Sequence, residues 1–500
     1  MSDGFFPFPR KTLYAPHVVA RAAQRRNQFE GGTRGWCPLR TSGIEWGGAS
    51  WKLFLLSLCI GGLAICCSGQ EMEPIRFVDS RLTNGLRVIV SEDHFAPVYT
   101  LALGYGVGSR DEPPGRSGFA HLLEHLMFKG SKAVGTGEHS YLILNNGGTM
   151  NATTNTYRTI YFETLPKNQL ALGLFLEADR MRSLAITQEN LDNQRSAVEE
   201  ERRLTLDNRA YGKSGEKIGE IVFDSFASQH PVIGSIKDLN VASVSIIKEF
   251  FRTYYGPNNA VLSLVGDLNT RDALVKVKKY FNDIPSQPLA SRVVVSESER
   301  YAERREVVED HLARLPQLAI AYRVQPVAQD DLVALGILST ILGYGESSRL
   351  YKRLIIDQDM VTSVFSSLDV RVGASLLQIS AILRQGKSPV EVESVIDQEL
   401  ANLLSEPVAA KELLRARNIA RRSMAQLHES TLLRAIRLAD DALLYDDPAR
   451  INTVLRKQLG VSDLDVKRVA RIYLRKANRA VLYTSPANSR PDASQTGSPN

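Results

Sequence analysis

The five residues His121-Leu122-Leu123-Glu124-His125 bring together two imidazoles and one carboxylate at a spacing suited to metal chemistry. On an α-helix, residues four apart lie about 40° apart around the axis and residues three apart about 60°, so His121, Glu124 and His125 share one arc. Two imidazoles one turn apart can bind a single Zn²⁺ ion, and the carboxylate beside them is placed to take a proton from the attacking water. This order is the reverse of the common H-E-x-x-H zinc helix.

A helix with these residues could instead be structural, with its histidines buried and hydrogen-bonded. Leu, Phe and Met surround the motif, so three polar groups would each need a partner in an apolar setting. Two histidines and a glutamate at this spacing therefore favour a zinc site, with one Zn²⁺ per chain. The other histidines of the body carry no spacing signal and are expected at the surface or satisfied in the core: His94, His139, His230, His311 and His428.

A catalytic zinc site needs a third protein ligand and one open position. The segment 194–203 (QRSAVEEERR) is predicted to be helical and carries three glutamates. Glu199 and Glu200 are expected to face outward, where Glu199 can pair with Arg203. The less polar face holds the best ligand candidate, Glu201, and comprises Gln194, Ala197, Val198 and Glu201. On the residues alone, a solvated face that carries all three glutamates stays open.

The rest of the sequence predicts the elements that must hold these groups. Apolar runs bounded by turn signals predict strands, and apolar residues at helical spacing predict helices. In the first half we expect strands at 76–78, 86–91, 98–107, 150–165 and 260–265, and helices at 118–129, 169–183 and 188–206. In the second half we expect strands at 317–322 and 480–484, paired strands within 361–383, a helix at 332–342, and three helices within 389–470.

The two halves of the body resemble each other. An R-T-Y segment at 252–254, followed by Asn259 and an apolar strand, matches an R-I-Y segment at 471–473 followed by Asn478, at a constant offset of 219 in the numbering. We therefore predict an α+β fold of two homologous α/β-sandwich-like halves, joined by a linker at 285–300. The helix carrying HLLEHLMFKG in the first half corresponds to ALGILSTILG in the second, so chemistry is expected in the first copy only.

Composition separates the segment 1–70 from the body. Lys and Arg number 61 against 55 Asp and Glu, and nearly all of that excess lies within 1–70. The body is close to neutral, so a dedicated nucleic-acid surface is not expected. All 4 cysteines also lie before position 70, which excludes a thiolate metal site, a cysteine nucleophile and a disulfide framework in the body.

Residues 53–67 (LFLLSLCIGGLAICC) form an apolar run that is short for a membrane-spanning helix and typical of a signal peptide. We expect an exported protein, either in a bacterial periplasm or attached to a membrane as an anchored chain or a lipoprotein. The predicted organisation is a leader at 1–70, a zinc-bearing N-terminal domain at 71–288, a related C-terminal domain without the zinc motif at 289–486, and a disordered tail at 487–500.

The segment GFAHLLEHLMFKGS from Gly118 and the later SAVEEERR resemble the pitrilysin/insulinase family of zinc peptidases, most closely its bacterial, mitochondrial-processing-peptidase-like members, over residues 75–485. The resemblance implies that the third zinc ligand is Glu201, which follows His125 at the family's usual spacing, and that Glu124 is the general base. One heptad before Glu201 the family often has a second glutamate; Gln194 implies a neutral supporting role there. The resemblance also implies a clam-like pair of halves enclosing a chamber.

The stretch from Met150 to Thr154 resembles the family's active-site edge strand, to which an extended peptide adds by backbone pairing. On that resemblance, Asn151 and Ala152 bind the substrate. Without it, the stretch is equally typical of an ordinary Thr-rich strand.

One departure from the family pattern affects the expected activity. Many members carry an Arg and a Tyr in the second half that hold the substrate and the developing oxyanion, whereas the corresponding positions here are Ile355 and Thr362. Loss of such donors lowers rates by orders of magnitude. The resemblance therefore implies a zinc endopeptidase for unfolded peptides that forms a heterodimer with a related zinc-less chain carrying Arg and Tyr, or a homodimer. A non-catalytic structural subunit and a peptide-binding chaperone are the alternatives.

Overall fold

The computed structural model describes residues 72–288, 293, 295–298, 302–325 and 329–487. Within this part of the chain, the strands form a six-stranded and a five-stranded sheet. The first sheet contains β1 (Val78–Arg81), β2 (Arg87–Glu92), β3 (Val98–Tyr105), β4 (Thr149–Thr154), β5 (Thr159–Pro166) and β6 (Ala260–Gly266). The second contains β7 (Arg304–Asp310), β8 (Gln317–Val324), β9 (Val361–Asp369), β10 (Ser375–Leu383) and β11 (Arg479–Pro486).

Five strands of the first sheet, all except β1, have the same order as the five described strands of the second. The first runs β1-β2-β6-β3-β5-β4 and the second β7-β11-β8-β10-β9. One pair in each is parallel, β2 with β6 and β7 with β11, and the other neighbours are antiparallel. The predicted constant offset also holds, since β3 begins at Val98 and β8 at Gln317. The predicted α+β fold of two homologous halves is confirmed.

Helices pack against both sheets. Those of the first half are α1 (Phe119–Leu126), α2 (Glu138–Asn145), α3 (Leu170–Ser183), α4 (Gln188–Arg202), α5 (Gly212–Val222), α6 (Phe226–Gln229), α7 (Ile236–Leu239), α8 (Val244–Tyr254) and α9 (Thr270–Phe281). Those of the second half are α10 (Gln329–Gly343), α11 (Arg349–Tyr351), α12 (Pro389–Ser405), α13 (Ala410–Glu429), α14 (Thr431–Tyr445), α15 (Val454–Gly460) and α16 (Asp463–Tyr473).

The prediction of three helices within 389–470 is wrong, because five helices begin there. Ser430 separates α13 from α14, and its hydroxyl caps α14 by accepting a hydrogen bond from the backbone N–H of Leu433 at 3.2 Å. Pro448 starts a 3₁₀ turn between α14 and α15. A helical spacing of apolar residues that continues across such breaks hides them in the sequence.

Each half has an apolar core between its sheet and its helices. In the first half, Leu101 and Leu103 of β3 belong to one fully buried cluster with Leu122, Leu123 and Leu126 of α1. Burial of one such leucine contributes about 1.5–3 kcal/mol. The second half repeats the arrangement around β8 and β10. The leucines between and beside the two histidines thus fix α1 against its sheet.

The two halves also exchange one helix each. α14 of the second half lies on the first sheet, where Thr431 Oγ1 is 3.1 Å from Thr100 Oγ1 of β3. α5 begins at Gly212 and α14 at Thr431, which is again the offset that relates the two copies. The buried side chains of α5, in turn, cluster with the second sheet: Ile218, Ile221 and Val222 with Ala321 and Leu482. The exchanged helices hold the halves together.

The predicted linker is tied to both halves where the structure describes it. Glu297 is buried and accepts hydrogen bonds from Ser225 Oγ at 2.6 Å and from Arg323 Nη1 at 3.0 Å. The domain boundary at 288/289 and the enclosed chamber stay predictions. The predicted leader, and the predicted tail after Ala487, lie outside the described residues. Among the helices that the structure describes, none has the length and apolar character needed to cross a bilayer.

Candidate metal centre and active site

The helix with both histidines, α1, begins at a glycine in the left-handed conformation. Gly118 has a φ of 90°, and a Cβ there would lie 2.6 Å from the carbonyl oxygen of Ile233, so glycine is required. The Glu112 carboxylate accepts hydrogen bonds from the backbone N–H groups of Gly118 (2.8 Å) and Ala120 (2.7 Å), and His230 Nε2 lies 2.9 Å from it. Glu112 therefore fixes the start of α1, where a carboxylate also complements the helix dipole.

Replacing Glu112 with alanine is expected to lower the free energy of unfolding by about 3 kcal/mol, because two backbone N–H groups and His230 would lose their buried acceptor. The measurement is chemical denaturation beside a matched Glu189→Ala variant on the exposed start of α4, for which a loss of no more than about 1 kcal/mol is expected. Equal stability of the two variants would contradict the capping role.

The three predicted ligands meet in space. The Nε2 atoms of His121 and His125 lie 3.7 and 3.2 Å from Glu201 Oε2. Donor atoms around a tetrahedral Zn²⁺ are ~3.3 Å apart, so this spacing fits one ion. The side chain of His121 is 12% exposed, whereas those of His125 and Glu201 are 26% and 40% exposed. One side of the cluster therefore faces solvent.

Helix α4 brings Glu201 to α1. Leu191 and Val198 anchor the helix in the core. At its start, Asn190 Nδ2 donates to the carbonyl oxygen of Lys129 at 3.1 Å, which ties α4 to the chain just after α1. Ala197, predicted on the inner face, is exposed, so that part of the prediction is wrong. The buried face is centred on Leu191 and Val198 and is narrower than expected.

The two glutamates before Glu201 lie near an arginine instead of the α1 histidines. Glu199 and Glu200 lie 3.5 and 3.1 Å from Arg203, so both carboxylates have a surface partner. The Glu200 side chain is 57% exposed, but that of Glu199 is only 17% exposed and faces outward less than predicted. Among the described residues, Glu201 is the one glutamate of these three whose carboxylate lies close enough to both α1 histidines to share a metal ion with them.

Gln194 is buried one heptad before Glu201, and its amide donates to Asn193. Nδ1 of His121 is also buried and has no hydrogen-bond partner in the described part of the chain. The supporting role of Gln194 toward the ligands stays a prediction.

Glu124 is 8% exposed and accepts a hydrogen bond from Thr154 Oγ1 on β4. Burial raises the pKa of Glu124, while the bond from Thr154 acts against that shift. Burial also lowers the pKa of His121 to about 4, and His125 acts in the same direction. The His121 imidazole is therefore neutral near pH 7, which is the form that binds metal.

β4 is an edge strand that pairs only with β5 among the described strands. Asn151 is exposed on it, and its Oδ1 accepts a hydrogen bond from the backbone N–H of Ala152 at 2.8 Å. The two residues predicted to bind substrate thus lie on an open sheet edge. Thr154, on the same strand, contacts Glu124 directly.

Arg158, in the turn between β4 and β5, connects this edge with the second half. Its Nη1 donates to the carbonyl oxygen of Thr153 at 3.2 Å. Its Nε and Nη2 donate to the two carboxylate oxygens of Asp440 at 2.6 and 3.2 Å. Because Asp440 belongs to α14, the exchanged helix supports the strand beside Glu124. No sequence pattern indicates this pair, whose members are 282 residues apart.

The two departures from the family pattern lie in the second half. Ile355 packs against the core of that half, and Thr362 Oγ1 donates to the carbonyl oxygen of Ile382 at 3.2 Å. Ile355 has no hydrogen-bond donor, and the single hydroxyl donor of Thr362 is already engaged with Ile382, so neither side chain matches the donors of a guanidinium and a phenol.

Two of the remaining histidines, His230 and His139, differ in whether their buried side chains have hydrogen-bond partners. His230 has Glu112 as a partner, as expected for a histidine in the core. His139 is buried, but its Nε2 has no hydrogen-bond partner in the described part of the chain, so the expectation of a satisfied side chain is wrong there. It lies in a second cluster of metal-binding groups with Glu163 and Glu177, which no spacing in the sequence indicates.

Comparison with known proteins gives one family for both halves. Residues 87–210 match the family model described as "Insulinase (Peptidase family M16)", and residues 243–420 match the one described as "Peptidase M16 inactive domain". The first match contains the zinc helix and Glu201.

Relatives and solved structures agree with this family. The zinc protease PqqE of Helicobacter pylori is 29% identical over 422 residues, which are 81% of this chain and 92% of that protein. An Arabidopsis thaliana protein named "Probable mitochondrial-processing peptidase subunit beta, mitochondrial" is 22% identical over 82% of this chain and 78% of its own length. A crystal structure of a protease from Helicobacter pylori has a TM-score of 0.78 at 27% identity and covers 82% of this chain and 100% of that one. The family predicted from the zinc helix is thus confirmed, and the chain belongs to the insulinase-type peptidase family M16.

Proposed function

We propose that this chain is a zinc-dependent endopeptidase that hydrolyses unfolded peptides. The observation that carries the proposal is the meeting of two imidazole nitrogens with Glu201 Oε2, at 3.7 and 3.2 Å, next to the buried carboxylate of Glu124. The relative named zinc protease, similar over most of both chains, supports the metal and the reaction class.

His121, His125 and Glu201 would hold the ion. Two imidazole nitrogens and a carboxylate oxygen are donors that Zn²⁺ prefers, and the exposed side of the cluster leaves one position for water and substrate. When bound, zinc supplies a Lewis acid that polarises a peptide carbonyl and makes water nucleophilic near neutral pH.

The chain's own residues do the rest of the chemistry. Glu124 accepts the proton of the attacking water and later donates a proton to the leaving amine. An extended peptide adds to the open edge of β4, where Asn151 and Ala152 hold its backbone. Because Thr154 of this strand binds Glu124, a peptide on that edge lies beside the base. Pairing of this kind requires an extended segment, which an unfolded peptide offers along its whole length.

We further propose that a related zinc-less chain carrying Arg and Tyr completes the site. Ile355 and Thr362 supply no strong donor to an oxyanion, and the ligand cluster is open on one side. The relative named as a peptidase subunit supports assembly with another chain. A homodimer is the simpler alternative, but a second copy would bring the same isoleucine and threonine.

Cleavage of a fluorogenic peptide by the purified chain, alone and mixed with such a partner, tests both proposals. We expect weak activity alone, at least ~100-fold more with the partner, and none after zinc is removed with a chelator. Full activity of the single chain would contradict the need for a partner. If a zinc-loaded chain cleaves no peptide, either alone or with the partner, the proposed endopeptidase activity is contradicted.

A non-catalytic, peptide-binding role is the second candidate. The match of residues 243–420 to a model described as an inactive domain favours it, together with Ile355 and Thr362. This role predicts peptide affinity without turnover, unchanged by Glu124→Gln.

The predicted signal peptide supports export to a periplasm or membrane surface, and N-terminal sequencing of the mature chain tests this.

A further inference from the structure

A second cluster of metal-binding side chains lies in the core of the first half. It consists of His139 on α2, Glu163 on β5 and Glu177 on α3, and one ligand atom of each lies within 4.8 Å of the others. The three residues are 3%, 1% and 1% exposed. None of them takes part in the proposed peptidase chemistry.

The hydrogen bonds of this cluster are unevenly distributed. Arg180, one turn after Glu177 on α3, binds the Glu177 carboxylate with two donors, one at an Nε–Oε2 distance of 2.9 Å. Both carboxylate oxygens of Glu163 are buried with no hydrogen-bond partner in the described part of the chain, and so is His139 Nε2. Arg180 Nη1 is likewise buried with no hydrogen-bond partner in that part of the chain. A buried carboxylate with no donor is strongly unfavourable, so Glu163 lacks a bound partner although Arg180 lies beside Glu177.

The packing around Glu163 keeps its carboxylate in this place. A Cβ at Gly173, one turn before Glu177 on α3, would lie 2.5 Å from Glu163 Oε1 and 2.5 Å from the hydroxyl of Tyr99. Only glycine leaves room for both groups against this helix. The side chain of Glu163 is therefore directed into the cluster from the sheet, while Glu177 and His139 reach it from two helices.

We propose that His139, Glu163 and Glu177 bind a second, structural divalent cation, for which Zn²⁺ is the best fit. One imidazole nitrogen with carboxylate oxygens is a donor set that suits this ion. Glu163 can coordinate through both of its unpartnered oxygens, so three side chains can supply four donors. His139 Nε2 and Glu163 Oε2 are 3.8 Å apart, close to the ~3.3 Å of donor pairs around tetrahedral Zn²⁺. Deep burial makes the site structural, because no position is open to a substrate.

The competing occupant is a proton. Burial raises the pKa of Glu163, and the charge of Glu177 adds to that shift, whereas the charge of Arg180 opposes it. A protonated Glu163 would remove the charge, but the gap of 3.8 Å to His139 Nε2 is too long for a hydrogen bond. A cation satisfies all three unpartnered atoms at once.

A bound ion would join three elements of the first half. It would tie α2 and α3 to β5, the strand that pairs with the edge strand β4. It would also hold His139, against which the ring of Phe128 packs edge-on at 5.9 Å, three residues after His125. The second site would thus stabilise the surroundings of the first without taking part in its chemistry.

Metal analysis in a background without the first site tests this inference independently of peptidase activity. The full-length chain with His121→Ala and His125→Ala is expressed with added Zn²⁺, dialysed and analysed by mass spectrometry for metal. We expect one Zn²⁺ per chain in this variant and two in the wild type. Adding Glu163→Gln should remove the remaining ion, whereas adding the exposed control Glu189→Gln should not.

A double variant without zinc, or a Glu163→Gln form that retains it, would overturn the inference and leave a proton as the occupant. If the Glu163→Gln form does not fold, thermal unfolding of the variant with both histidine substitutions tests the second site instead. Removal of its zinc by a chelator should lower the unfolding midpoint by at least ~4 °C, and an unchanged midpoint would overturn the site.

Discussion

Replacing Glu124 with glutamine is expected to lower kcat for peptide cleavage by about 10²–10⁴-fold and to leave zinc bound. Glutamine has the size of glutamate but cannot accept the proton of the attacking water. The Thr154 hydroxyl, which donates to the carboxylate, can donate equally to an amide oxygen, so the local structure should persist. Initial rates with a fluorogenic peptide, measured in the presence of the partner chain together with zinc content, give the comparison.

The matched control is Glu138→Gln, at an exposed position on α2. Its rate should stay within about twofold of the wild type, since surface substitutions of this kind have small effects. Equal cleavage by the Glu124→Gln and wild-type chains would rule out Glu124 as the base, whatever else holds at the site.

Glu201→Gln is expected to weaken zinc binding at the α1 histidines by more than about 100-fold and to abolish cleavage. Loss of a group that only supports a ligand already weakens metal binding by about 10–100-fold, and loss of a ligand should exceed that. The neutral amide would replace the carboxylate whose Oε2 lies 3.2 Å from His125 Nε2. Competition with a chromophoric chelator measures the affinity.

The same helix provides controls of identical chemistry. Glu199→Gln and Glu200→Gln each remove a carboxylate that lies near Arg203. Surface ion pairs contribute about 0–1 kcal/mol, and neither carboxylate belongs to the group that contains the two α1 histidines. Both variants should therefore bind zinc as the wild type does. A loss of zinc affinity in Glu200→Gln as large as that in Glu201→Gln would contradict the assignment of the third ligand.

The two histidines and Glu124 could be predicted because their arrangement depends on a single helix. The spacing alone places them on one arc, whatever fold surrounds it. The prediction of Glu201 needed more than spacing, since the apolar pattern of a helix does not define the edges of its buried face sharply. Ala197 shows this limit, because it was expected inside and is exposed. The family resemblance, rather than the face, selected Glu201 among the three glutamates.

The residues that support the site could not be found in this way. Glu112 and His230 are 118 residues apart, and Arg158 and Asp440 are 282 residues apart. An isolated histidine or arginine gives the same local pattern whether it lies at the surface or in a core, so only the tertiary contacts distinguish the two. The missing partner of His139 is a property of its surroundings in the fold.

The exchange of α5 and α14 makes the chain the intramolecular counterpart of a domain-swapped dimer. Each of these equivalent helices packs on the sheet of the other copy and covers part of it. A half cut out by itself would expose the surface that its lost helix covers, and would carry an unpaired helix of its own.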